Sequence, residues 1–134
     1  MFRSPQINLY VADVSRSVLF YERLGFAETF RTPAEGAPIH VELTLETMKL
    51  GIADAESARR DHGLEVTPGG RGAEVCLWTD DVASSFAVLL GVGATSMSEP
   101  HEWLDGSLRV AWVADPDGNP VELVQRLDRQ VTRE

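Results

Sequence analysis

Glu122 is the side chain that most needs a reason. It stands between Val121 and Leu123, in an apolar run that follows Asp115, Pro116, Asp117, Gly118 and Asn119. Proline pre-sets one turn dihedral, Asp and Asn bond their own backbone, and glycine takes a positive φ, so residues 112–125 read as strand, hairpin turn, strand. A carboxylate there either points to the wet face of a half-buried sheet or faces a ligand or metal in a cavity. Other polar and aromatic side chains recur at period two. Gln6, Asn8 and Tyr10 alternate with Ile7, Leu9 and Val11, and His40, Glu42 and Thr44 alternate with Val41, Leu43 and Leu45. Glu74, Cys76 and Trp78 share one parity of a third strand. Cys76 has no histidine at motif spacing, so it is not expected to act as a nucleophile. His62 and His101 are placed in loops, and His40 stands alone on its strand, where a partly exposed structural histidine is the plainer reading. Gly69, Gly70, Arg71 and Gly72 lack the lysine and the strand-to-helix setting of a phosphate loop and read as linker.

The elements that must position these residues come in two sets. Strand 6–11 leads to Asp13, an N-cap candidate. Val14, Val18, Phe20, Tyr21 and Leu24 form a helical apolar stripe that ends at Gly25. An edge-like strand at 26–31, a Pro- and Gly-containing loop at 32–38, and strands at 39–45 and 48–53 complete a βαβββ module. Residues 54–72 are charged and then rich in Pro and Gly, as a linker would be. Then the pattern repeats 68 residues on, from Asp13 to Asp81, Val14 to Val82 and Gly25 to Gly93. A strand at 74–79, a helix at 84–90 and strands at 94–97, 108–114 and 120–125 follow. The expected fold is α+β, a single domain of two tandem βαβββ modules: module 1 at about residues 4–54, linker at about 55–72, module 2 at about 73–127.

Length and composition narrow the function classes. The chain has 134 residues, 43% hydrophobic and 25% charged, which are globular values for one domain. One cysteine rules out an internal disulfide framework and suits a reducing cytoplasm. The longest apolar stretch, residues 86–94, is too short to cross a bilayer, so a cytoplasmic protein without a membrane partner is expected. A net charge of −9 argues against nucleic acid, which requires clustered Lys and Arg, and favours cationic small molecules.

Residues 11–26 (Val-Ala-Asp-Val-Ser-Arg-Ser-Val-Leu-Phe-Tyr-Glu-Arg-Leu-Gly-Phe) and 115–123 (Asp-Pro-Asp-Gly-Asn-Pro-Val-Glu-Leu) together resemble the signatures of the vicinal oxygen chelate superfamily. Its members include glyoxalase I, extradiol dioxygenases, fosfomycin-resistance transferases and bleomycin-resistance proteins. The resemblance covers nearly the whole chain and is specific for fold, not for chemistry. It implies that each module curls a mixed sheet toward a cup-shaped cavity, and that two copies of the chain pair as a homodimer. It also implies metal-ligand positions on the first and last strand of each module. By position these are Gln6, Gly51, Glu74 and Glu122. No histidine is among them and Gly51 cannot ligate, so a His-based dioxygenase centre is not expected; two carboxylates and an amide could hold Mg²⁺ or Mn²⁺.

Read as a cavity lining, Asn8, Tyr10, His40, Glu42, Trp78, Trp112 and Glu122 make an aromatic, hydrogen-bonding surface with carboxylates, suited to a flat or cationic organic ligand. Trp103, placed in a loop at residues 100–106, adds to it unless it covers a subunit interface or lies on the surface. Trp78 and Trp112 have core packing as their alternative. Two functions follow. The first is a binding protein of the bleomycin-resistance type that sequesters an aromatic or cationic compound, as in antibiotic resistance, without a cofactor. The second is a lyase or isomerase of the glyoxalase type. There a divalent metal such as Mg, Mn, Ni or Zn would polarise vicinal substrate oxygens, and Glu74 or Glu122 would shuttle a proton.

Overall fold

Asp13 and Asp81 start the two helices that organise the chain, and they do so in the same way. In the computed structural model, which describes residues 1–127, each aspartate sits in extended backbone and accepts a hydrogen bond from the amide three residues on, Arg16 and Ser84 respectively. Helix α1 (Val14–Arg23) and helix α3 (Val82–Gly91) then bury equivalent side chains: Val14, Val18 and Tyr21 in one, Val82, Phe86 and Leu89 in the other. Both stop in a Schellman arrangement. Gly25 at φ 109° and Gly93 at φ 105° reverse the chain, and the next amides reach back to the carbonyls of Tyr21 and Leu89. A residue with a side chain would be strained there.

The chain divides into two units, residues 1–70 and residues from 71 onward. In the first, β1 (Ile7–Val11), β2 (Ala27–Thr32), β3 (His40–Leu45) and β4 (Met48–Asp54) form a mixed sheet in the order β1-β4-β3-β2, with β1 parallel to β4. In the second, β5 (Val75–Trp78), β6 (Thr95–Trp103), β7 (Leu108–Ala114) and β8 (Pro120–Arg126) repeat it as β5-β8-β7-β6, with β5 parallel to β8. The fold is therefore α+β, two tandem βαβββ modules with curled, unclosed sheets. On one face of the first sheet Val11, Val41, Leu43, Leu50 and Ile52 are fully buried, and α1 packs against β3 and β4. In the second unit Ala111, Val113 and Val121 are fully buried and α3 packs on β7 and β8.

The hairpin at 115–119 forms as its residues demand. The buried Asp115 carboxylate accepts from the amides of Asp117 and Asn119 at 2.9 and 2.8 Å, and from the Asn119 side chain at 3.0 Å. Three expectations need correction. Residues 55–72 are not linker throughout: Ala55–His62 is helix α2, capped by Asp54, which accepts from the Ser57 amide, and ended by Gly63 in the left-handed region. His62 is thus the last residue of a helix. His101 and Trp103 belong to no loop either, because β6 continues to Trp103 through two register shifts. Pro100 sits within the second shift on this sheet edge, where a missing backbone donor is tolerated.

Candidate functional site

Period two places the chemistry-bearing residues on the sheet faces away from α1 and α3, and the ladders say which stand side by side. In the first unit Asn8 pairs with Gly51 and Gly51 with Glu42; in the second Cys76 pairs with Glu122 and Glu122 with Trp112. Asn8 and Cys76 are again 68 residues apart. The register therefore makes Gly51 the counterpart of Glu122, and Glu42 the counterpart of Trp112. Even the cross-strand contacts correspond. Gln6, just before β1, donates to Glu42 at 3.4 Å, and Glu74, just before β5, accepts from Trp112 Nε1 at 2.9 Å.

In the first unit Glu42 is the hub. It lies 3.3 Å from His40 Nε2, accepts from Gln6 and pairs with Lys49 Nζ at 3.6 Å. Burial alone would raise its carboxyl, but the hydrogen bonds from His40 and Gln6 and the Lys49 charge outweigh it and hold Glu42 below the usual carboxylate range. Asn8, which also accepts from Gln6 at 2.9 Å, lies across Gly51. A Cβ on Gly51 would stand 2.1 Å from Asn8 Oδ1, so the carboxamide occupies the space in which a ligand side chain on β4 would begin. Beside this group a cavity of about 320 Å³ opens between the sheet and α2. Asn8, Tyr10 and His40 line it from the sheet, and Ser57, Asp61 and His62 from the helix. The α2 residues are site positions that sequence reasoning missed. Asp54 and Gly63, a cap and a stop at helical separation, were the signal that could have found them.

In the second unit Trp112 is the hub. Its indole donates to Glu74, and the His101 ring stacks on it with centroids 6.3 Å apart and planes at 24°. Glu122, half-buried beside it, has its carboxyl raised, first by burial and then by the neighbouring Glu74 carboxylate. Cys76 is exposed as a residue, yet its thiol is desolvated and adjoins Glu122 and Glu74, which pushes it up to about 11. A thiol so placed stays protonated and is a poor nucleophile. Trp78 is 59% exposed, with the Arg126 guanidinium 5.2 Å over its ring. Trp103, 58% exposed, ends β6 on the same face as Trp112, since its ladder partner Leu108 shares the parity of Trp112. None of the three tryptophans is among the buried core residues.

The four implied ligand positions do not fit zinc, nickel or iron. They supply no imidazole or thiolate, Gly51 supplies nothing, and one Glu74 oxygen is held by Trp112. Among the described residues, no three His, Cys, Asp or Glu side chains are grouped so as to hold a metal ion. The arrangement is suited instead to hydrogen bonding, aromatic stacking and attraction of positive charge.

Known proteins share this architecture. The model of the Glyoxalase/Bleomycin resistance protein/Dioxygenase superfamily matches residues 3–123. The chain belongs to that superfamily. TioX from Micromonospora sp. ML1 has a similar crystal structure, with a TM-score of 0.72 and 24% identity over 93% of this chain and 100% of TioX. TnmS3, an antibiotic binding protein from Streptomyces sp. CB03234, gives 0.68 and 24% over 94% of this chain and 98% of TnmS3. The uncharacterized protein YwbC of Bacillus subtilis (strain 168) is 23% identical over 128 residues, 92% of this chain and 98% of YwbC. At these identities the structural likenesses establish the fold; the chemistry must come from the side chains of this superfamily member. Among its described residues no helix is long and apolar enough to cross a membrane.

Proposed function

We propose that this protein binds a small aromatic or cationic organic compound on its polar-aromatic sheet faces, without a metal ion and without turning the compound over. The observation that carries the reading is the Gly51–Asn8 pair. Where the second module has Glu122, the first has a glycine whose side-chain space is filled by an amide, so one of the four implied ligand positions is gone. What remains is Trp112 held by Glu74 and stacked by His101, with Trp78 and Trp103 more than half exposed nearby in the sheet. Such rings take flat ligands by stacking and cations by attraction to the π face. TnmS3, whose fold is shared, is an antibiotic binding protein.

The test is tryptophan fluorescence titrated with planar cationic antibiotics, alongside metal content by plasma mass spectrometry on protein purified without a histidine tag. Saturable quenching of metal-free protein is the expected result. Near-stoichiometric metal that Glu122→Gln lowers would replace this reading with the glyoxalase-type one. The protein is further proposed to act as a homodimer in the cytoplasm.

A further inference from the structure

The two modules match in register but not in what stands over their sheets, and that difference defines a pocket. At the position where β8 carries Val124, β4 carries Ala53, by the same offset that relates Gly51 to Glu122. Ala53 is a wall of the 320 Å³ cavity, and its single methyl leaves more room above β4 than a valine would. Helix α2 roofs that space. It buries Ser57 and Ala58 toward the protein and follows β4 directly through the Asp54 cap, which fixes its position: Asp54 accepts from both the amide and the hydroxyl of Ser57 at 2.8 and 2.6 Å.

The lining has a chemical bias. Its carboxylates are Asp54 and Asp61, its imidazoles His40 and His62, and no lysine or arginine contributes to the wall. Tyr10 adds an aromatic ring, and Asn8 and Thr32 add polar groups. Asp54 is spent on the helix cap, and His40 on Glu42. Arg60 donates to both Asp61 oxygens, at 3.0 and 3.2 Å, but the two side chains are about half exposed, so the pair can open to a competing cation. The volume is at the small end for ligand sites and fits a single ring with a short substituent rather than a fused polycycle.

We propose that the cavity between α2 and the β1–β4–β3 face is a binding pocket for a single aromatic ring bearing a short alkylammonium group, with Asp61 as the residue that selects the charge and Ala53 as the residue that admits the ring. The ammonium group meets Asp61 and the ring lies against Tyr10, a cation and an apolar face used together. This rests on the small-molecule binding reading above and gives one ligand group of that reading a place in the first unit.

Benzylammonium, phenol and benzoate are the probes, added to ¹⁵N- and ¹³C-labelled full-length protein at constant ionic strength. Benzylammonium is expected to shift the methyl signals of Ala53 and Ala58 and the His62 ring signals, with benzoate producing no saturable shift. Ala53→Val, which installs the residue of the second module and suits a strand, is expected to weaken benzylammonium by about tenfold or more, with the melting temperature unchanged. Asp61→Asn, at an exposed position without folding risk, is expected to weaken benzylammonium several-fold and leave phenol unaffected. Benzoate binding as well as benzylammonium, shifts confined to other residues, or unchanged affinity in both variants would overturn the proposal. Tryptophan quenching reports separately, because Trp78, Trp103 and Trp112 all lie in the second unit. Quenching by planar cations without benzylammonium shifts in the first unit removes the pocket and keeps the general reading. Shifts without quenching keep the pocket and remove only the tryptophan surface of the second unit.

Discussion

At the scale of single residues, the sharpest contrast is between Gly51 and Glu122, one ladder position occupied twice. Placing alanine at Gly51 puts a methyl 2.1 Å from Asn8 Oδ1 and 3.1 Å from the His40 ring. Asn8 is an exposed side chain and can swing aside, so Gly51→Ala is expected to keep the fold, change stability by no more than about 1 kcal/mol, and shift the Asn8 and Gln6 carboxamide signals in ¹⁵N spectra. An unchanged Asn8 signal would mean that its side chain does not lie over Gly51. Glu122 makes a pH prediction. Its carboxyl is raised from 4.5, so the folded chain holds that proton more tightly than the unfolded one. Ionising Glu122 then opposes folding: the penalty is absent below the ordinary carboxylate value and complete above the raised one, so this contribution falls as pH rises between them. Glu122→Gln is expected to raise the urea midpoint at about pH 7 and to leave it unchanged at about pH 4. Equal effects at both pH values would count against the shift. Arg126 makes a third case. Its guanidinium already covers Trp78 as a cationic ligand would. Arg126→Gln should therefore tighten a planar cationic quencher several-fold if Trp78 is a stacking platform, and do nothing if it is not.

At the scale of elements, the twin helix caps allow a matched experiment. Asp13→Ala and Asp81→Ala each remove one side-chain acceptor from an otherwise equivalent helix start, and each is expected to destabilise by about 1 kcal/mol in denaturant unfolding. Very different losses would show that the two modules no longer carry equivalent helices. These caps are also why so much of the fold was legible beforehand. Cap, apolar stripe and glycine stop are local chemistry, and their recurrence 68 residues on revealed the repeat and its succession of elements. What escaped was set by tertiary context. Helix α2 has only Ser57 and Ala58 to bury, so its charged sequence lacks an apolar stripe, and the roof of the first-unit cavity was hidden with it. Strand β6 lost its period-two pattern to two register shifts, and residues 100–103 read as loop although residues 101–103 pair with β7 and deliver His101 onto Trp112. The faces carrying Asn8, Tyr10, His40 and Glu42 were legible because alternation alone places them. The partners they hold were not, because a hydrogen bond such as Gln6 to Glu42 joins residues 36 apart.

At the scale of the whole molecule, the net charge of −9 bears on recognition at a distance. Carboxylates at positions 42, 61, 74 and 122 belong to the two candidate surfaces, and the summed field of the chain adds to theirs. A cation approaching either surface is drawn in by both, whereas a neutral ring of the same shape feels only stacking and burial. Local contacts survive added salt, while the long-range part is screened over a Debye length of about 8 Å at physiological ionic strength. Affinity for a planar cation should therefore fall as salt rises from about 0.05 to about 0.5 M, and affinity for its neutral isostere should hold or rise slightly. Fluorescence titrations of the pair at both salt concentrations check this. If the cation and the neutral isostere respond alike, charge plays no part in recognition, and the carboxylates on these faces serve solubility instead.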